Sequence, residues 1–373
     1  MSNARKLADN LPIGGQIGIG RNIIHNGAMN VAQRSTSITG VTSGVNYAVD
    51  RFPFTLNGMG TWTLTQQSDG PDGFANSVKI DCTTANASPS AHNYAFFYHR
   101  MEGQDLQQLG YGTSSAQLMV LSFYVKSNKT GNGTVSFFQP DNSFKHQSHQ
   151  YTINAANTWE RKSIIVQPDT SGVINDDNGR GFEIEWMLNA GTDFTTGAHQ
   201  STWTTLSNTN RGPSNLGIGG STSDYWQITG IQLEVGDTKA TPFEHEPVGV
   251  TLNKCLKYFE RLEIGDGGMR VAVANNTSSG YGHLTFMGLK RTAPTVTLPT
   301  ASVSTIANTV SLLTSAGSYR SSVGSIVPNK ISKSGCRIAC TGFSASNSVG
   351  SAVWIYFTTN NSTDPFVLLD AEL

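Results

Sequence analysis

One helical stripe stands alone in a chain otherwise written in strand and turn chemistry. Leu252, Cys255, Leu256, Phe259 and Leu262 recur at the spacing of one helix face. The spacing predicts a helix of about 11 residues, with Thr251 as N-cap and Gly265, Gly267 and Gly268 ending it. Two prolines, Pro242 and Pro247, precede it. They offer no ladder donor and bias the residue before each away from helix. A helix this short cannot bury its apolar face alone. It must pack on a sheet of its own chain or on its copies in partner chains, and in either case it joins two β domains.

The chain of 373 residues exceeds one ordinary domain. Its formal net charge is -1 and 14% of its residues are charged, which argues against duplex nucleic-acid binding. Residues 21–247 carry strand signals throughout. The clearest are Val120–Lys126, Gly133–Phe138, Trp159–Val166, Phe182–Leu188 and Tyr225–Val235. In the last, Trp226, Ile228 and Leu233 point inward and Gly230 marks a bulge. Gln104–Leu109 reads as a short helix. Strands resume after the joint at Met269–Ala274, Gly282–Met287, Pro294–Leu298, Arg337–Phe343 and Ala352–Thr358. The expected fold class is all-β: a large jelly-roll β-sandwich, a linking helix over 248–268, and a second, smaller β-sandwich over 269–373.

Residues 1–20 form a separate leader without the apolar core of a signal peptide, and no run is long and apolar enough to span a membrane. Cys82, Cys255, Cys336 and Cys340 make no CxxC pair and read as free thiols.

Five segments taken together resemble a bacteriophage fibre family. They are Arg21-Asn-Ile-Ile-His-Asn-Gly-Ala-Met-Asn-Val-Ala-Gln-Arg34 with Tyr47–Phe52, then Ile228–His245, Leu252–Arg261, Lys290–Thr297 and Leu369–Leu373. The leader Ser2–Asp9 is similar to the attachment peptide of such fibres. The resemblance implies a virion protein, a tail or head fibre with a carbohydrate-module-like jelly roll. It implies a homotrimer that docks to another virion protein through the leader, with Asn3, Arg5 and Leu7 as contacts, while the β domains face the host. In a trimer the stripe Leu252, Cys255, Leu256 and Phe259 would meet its symmetry mates.

Flat aromatic faces stack on sugar rings, and neighbouring Asn, Asp, His and Gln read hydroxyls. Gln139–Tyr151 and His199–Leu206 combine these residue types, so Phe144, His146, Tyr151 and Trp203 are the candidate glycan contacts. Trp62, Trp159, Trp186 and Trp226 sit in strand patterns and are expected in the core. Tyr281 and Tyr319 are rival contacts in the second domain.

Glycan hydrolysis would need two carboxylates. The pairs on offer are Asp176 with Asp177, Glu183 with Glu185, and Asp69 with Asp72. Glu183 and Glu185 alternate with apolar residues and fit a solvated strand face, so no catalytic site is expected. His92 with His99, or His146 with His149, could hold a metal; the second pair is off-phase on a strand and lacks a third ligand. No metal or cofactor is expected, save a structural Ca²⁺ that the turn Asn175–Gly179 could hold. The reading is a non-enzymatic virion fibre that recognises a host-surface glycan. A purely structural adaptor or head fibre, and a glycan-cleaving spike, are the alternatives.

Overall fold

The structure, a computed structural model, describes residues 20–236, 239–263, 268–298, 310–314, 319–320, 325–341, 348–357 and 366–373. Asn3, Arg5 and Leu7 lie outside the described residues. The chain divides into two compact units, one running to Leu252 and taking in Leu373, the other Asn253–Glu372.

The first unit is a jelly-roll sandwich of ten antiparallel strands. In chain order these are β1 (Ser37–Val49), β2 (Phe52–Gln67), β3 (Ser77–Thr84), β4 (Tyr94–Glu102), β5 (Met119–Ser127), β6 (Gly131–Gln139), β7 (Lys145–Ile153), β8 (Glu160–Val166), β9 (Arg180–Ala190) and β10 (Tyr225–Val235). Spatially they run β7-β6-β9-β4-β2-β3-β10-β5-β8, with β1 on β2. Strand β2 belongs to both layers. Its Phe54–Asn57 half pairs with β4, and Thr61–Gln67 pairs with β3. The bend between them falls at Gly60, whose φ is +77 and where a Cβ would lie 1.9 Å from the Thr84 carbonyl. No L side chain fits there.

The layers meet through large aromatics. Phe97 packs on Trp226 at 5.7 Å between ring centroids, Phe123 on Trp186 at 5.6 Å, and Phe54 on Trp62 at 5.4 Å. Trp62, Trp186 and Trp226 are fully buried, as their strand patterns predict. Each contributes on the order of 2–3 kcal/mol by burial. Trp159 departs from that pattern: it stands just before β8, half-exposed on the outer side. Trp226, Ile228 and Leu233 point inward, and the register slips between Thr229 and Gln232 around Gly230, as expected. Gln104–Leu109 lies in a 3-10 helix, Gly103–Leu109.

The segments that resemble the fibre family act as locks. Asn22 donates to the Ile231 carbonyl at 3.1 Å and accepts from the Leu233 amide at 3.0 Å. Buried Asn26 closes its own turn through Val31 and reaches the Asp50 carbonyl at 2.9 Å. Glu244, between the two prolines, accepts the amides of Gly20 and Asn22 at 2.9 and 2.7 Å. Phe243 and His245 pack on Phe74. The joint therefore fastens both ends of the sandwich together.

The helix, α1, spans Val248–Leu256, shorter and earlier than its periodicity predicts. Pro247 leads into it, and its carbonyl accepts the Val250 amide at 2.9 Å, so Thr251 lies inside the helix rather than at its cap. Phe259 and Leu262 leave the helix for strand β11 (Phe259–Glu263). That strand pairs with the distant β20 (Phe366–Asp370). A long-range ladder overrides local propensity there. Cys255, Leu256 and Phe259 are buried and Leu252 is half-buried.

The second unit continues with β12 (Gly268–Asn276), β13 (Ser279–Thr285), β14 (Thr295–Thr297), β15 (Val310–Thr314), β16 (Tyr319–Arg320), β17 (Ser325–Asn329), β18 (Gly335–Thr341) and β19 (Ala352–Phe357). A sheet β11-β20-β14 faces a sheet β16-β15-β19-β12-β13-β18-β17. Leu262, Val367 and Leu369 from the first share a core with Ala272, Leu284, Ile338 and Cys340 from the second. Inside it Lys290 and Glu260 form a fully buried pair at 2.5 Å, and Lys290 also donates to the last helical carbonyl, Leu256, at 2.6 Å. All four cysteines are buried free thiols.

Candidate functional site

The four glycan contacts expected from the sequence do not come together. Phe144 sits in the β6–β7 turn with φ 55, exposed, with the Arg180 guanidinium 5.0 Å from its ring centre. His146 is fully buried against Phe138. Tyr151 lies five residues further along β7 and so faces the opposite side, into the core, where its hydroxyl accepts from Trp226 Nε1 at 3.2 Å. Trp203 is half-buried, donates to the Gln167 carbonyl at 2.7 Å, and packs on Phe182 and Tyr111. His146 and Tyr151 are enclosed and not presented to a ligand.

The carboxylate pairs fare similarly. Glu183 and Glu185 are not solvated: both are buried. Glu183 meets Arg100 and Arg180 at 2.8 Å each, and Glu185 meets Arg211 at 2.5 Å. Burial raises the Glu185 carboxyl above the usual range, opposed by Arg211. In the Asn175–Gly179 turn, Asp177 accepts the Gly179 amide at 2.7 Å. Asp69 pairs with Lys126. His92 and His99 separate: His92 is exposed beside Asp193, and His99 is buried against Phe52. Among the described residues no group of three or more His, Cys, Asp or Glu is placed to hold a metal ion.

A concave feature of the jelly roll lies elsewhere, at the end where three loops meet. A cleft of about 520 Å³ is lined by Ala87 and Pro89 of the β3–β4 loop, Lys129 of the β5–β6 loop, the end of β9, and the segment 215–224. Its floor is held by side chain to backbone bonds. Asp224 is 5% exposed; its Oδ2 accepts the amides of Gly219 and Ser221 at 3.1 Å each. Lys129 Nζ lies 3.5 Å from the same oxygen and donates to the Gly217 carbonyl at 2.7 Å. Asn215 donates to Asn189 Oδ1 at 3.1 Å and to the Ala190 carbonyl at 3.0 Å. Asn189 in turn donates to the Ile218 carbonyl at 3.1 Å.

The result is a preformed polar cleft with one cation and one anion that offset each other. Its volume falls in the range of small-ligand sites. Asn215 and Ser221 are exposed at its surface, and Lys129 is half-exposed there. Such a surface suits a neutral, hydroxyl-rich molecule. The sequence offers only generic turn chemistry here, a Gly-, Ser- and Asn-rich run from Asn215 to Asp224. Nothing local indicates that this run meets Lys129 or Ala87 across roughly a hundred residues.

No protein-family model and no curated protein matches the sequence. Solved structures do. The enzymatically active domain of tailspike protein 4 of bacteriophage CBA120 matches at 12% identity and TM-score 0.31, over 58% of this chain and 21% of that one. TmCBM61 in complex with β-1,4-galactotriose matches at 10% identity and TM-score 0.28, over 58% and 99%. The family 11 carbohydrate-binding module of the cellulase Lic26A-Cel5E of Clostridium thermocellum matches at 12% and 0.28, over 54% and 99%. The chain spans about a fifth of the tailspike domain. At these scores the likenesses carry no argument; the fold class rests on the sheets described above.

Proposed function

We propose that this chain is a non-enzymatic fibre protein of a phage virion that binds a host-surface glycan in the end cleft of its jelly roll. The observation that carries the binding reading is the cleft itself. It is preformed, neutral in charge, and lined by Asn, Ser and Lys side chains of the kind that hydrogen-bond hydroxyls. Among the described residues Asp224 is the one carboxylate lining it, and it is engaged with two backbone amides, which favours recognition over two-carboxylate hydrolysis. The virion, the homotrimer and docking through Asn3, Arg5 and Leu7 are supported by the family resemblance of the sequence. Three copies would turn weak single-site affinity into firm attachment.

The test is a steric block. Ala87 is exposed on the rim, so Ala87→Trp fills the cleft without touching the core. Native protein is expected to bind host cells and their extracted surface polysaccharide saturably. The variant is expected to lose at least about tenfold in affinity, or roughly 1.4 kcal/mol. Equal binding by both proteins would refute the cleft as the site.

A further inference from the structure

The outer face of the β3-β10-β5-β8 layer carries a constellation that lines no part of the cleft. Register places Tyr225 beside Asp81, and Gln227 between Lys79 and Lys126. Because Val125 pairs with Glu160, Trp159 enters the sheet alongside Lys126. Tyr225 and Trp159 are half-exposed, in contrast to the buried tryptophans of the same domain.

Both rings are pinned at their polar ends. Trp159 Nε1 donates to Asp69 Oδ1 at 3.3 Å, and the Tyr225 hydroxyl donates to Asn157 Oδ1 at 2.7 Å. Asp69, 49% exposed, also accepts from Gln227 Nε2 at 3.2 Å and pairs with Lys126. The lysines are held against the rings: Lys126 Nζ lies 5.1 Å from the Trp159 centroid, and Lys79 Nζ lies 4.7 Å from that of Tyr225. Lys79 also meets Asp81 at 2.8 Å.

Core packing gives no reason for an indole at this position, since it leaves apolar surface in water. The pinning fixes its rotamer before any ligand arrives, which lowers the entropic cost of binding. Two lysines and two aspartates cancel, so the face does not select a charged polymer. From β8 to β10 is two strand spacings, about 10 Å, so the two rings suit an extended chain rather than one sugar. The geometry points to a second carbohydrate surface, centred on Trp159 and Tyr225 and flanked by the exposed Asp69, that takes an extended neutral glycan by ring stacking. It stands independently of the cleft.

The experiment titrates cellohexaose, xylohexaose and maltohexaose, up to roughly 10 mM, into the full chain and its Trp159→Ala, Tyr225→Ala and Ala87→Trp variants. Calorimetry and tryptophan emission are the readouts; equal urea midpoints establish that the variants are folded. The native chain is expected to bind at least one hexaose with a dissociation constant of about 1 mM or below. Trp159→Ala is expected to lose at least about tenfold and the emission change, a typical cost of a lost stacking ring. Tyr225→Ala should weaken binding several-fold, and Ala87→Trp, which closes the cleft, separates the two surfaces: the hexaose binding that survives it is the part held by Trp159 and Tyr225. Binding unchanged in Trp159→Ala, binding abolished by Ala87→Trp alone, or no hexaose bound by the native chain would each overturn the second surface. Loss confined to Ala87→Trp would move the hexaose into the cleft; the other two results leave recognition of host polysaccharide there untouched.

Discussion

Acid should loosen the jelly roll before any carboxylate-based acid transition, through His146. This imidazole is fully buried beside Phe138, with neither ring nitrogen bonded. Burial first, and the nearby Arg211, His149 and His199 second, push it down from the ordinary 6.5 to about 4. In the folded chain it stays neutral where the unfolded chain already binds a proton. Stability is therefore intact above pH 6.5 and falls as the pH drops from 6.5 towards 4. At about 1.4 kcal/mol per unit, the full contribution is roughly 3 kcal/mol, of which about 2.5 is lost by pH 4.5.

Three other histidines add in the same direction, His199 among them, lowered by burial. Burial holds His99 well below the usual imidazole range and takes His149 to about 4. Glu185, raised by burial, opposes them. Asp69, Glu160 and Asp169 are held low, so their contributions are lost mainly below the histidine window. Urea unfolding between about pH 7 and 4.5, followed by tryptophan emission, would measure the slope in the native chain and in His146→Leu. The variant is expected to lose about 2.5 kcal/mol less across that range. Parallel slopes would refute the argument, as would a histidine NMR titration that places His146 near 6.5.

Two further outcomes follow from packing. Gly230→Ala must carry φ +61 and place a Cβ 2.7 Å from the Phe74 ring and 2.9 Å from Tyr124. A loss of about 1–3 kcal/mol is expected in urea unfolding of the first unit, with the second unit unchanged. Lys290→Met strands Glu260 at zero exposure. It should cost about 3–5 kcal/mol in the thermal unfolding of the second unit, and adding Glu260→Gln should recover much of that loss.

Much of this fold is legible along the chain because β periodicity is local. Alternation in Tyr225–Val235 fixes which residues turn inward, and Gly230 announces its bulge. The same local logic misleads where a distant partner decides. Phe259 and Leu262 complete a helical stripe on paper, yet β20, a hundred residues away, draws them into a ladder. Glu183 and Glu185 alternate like a solvated strand face, but Arg100 and Arg180 close in on Glu183 and the segment 191–216 brings Arg211 onto Glu185. Trp159 has the sequence context of a core residue, and only its register against Lys126 turns it outward.

The family-like segments show the division most clearly. Asn22, Asn26, Glu244 and Lys290 can be picked out as a pattern in the sequence. Their work is to fasten strands, turns and helix ends through bonds spanning up to 224 residues. The cleft has no pattern at all. Lys129, Asn189, Asn215 and Asp224 are ordinary polar residues in turns, and they converge because the jelly roll brings three loops to one end. Element type follows from nearest neighbours along the chain, whereas a binding surface depends on which turns the closed sheets leave side by side.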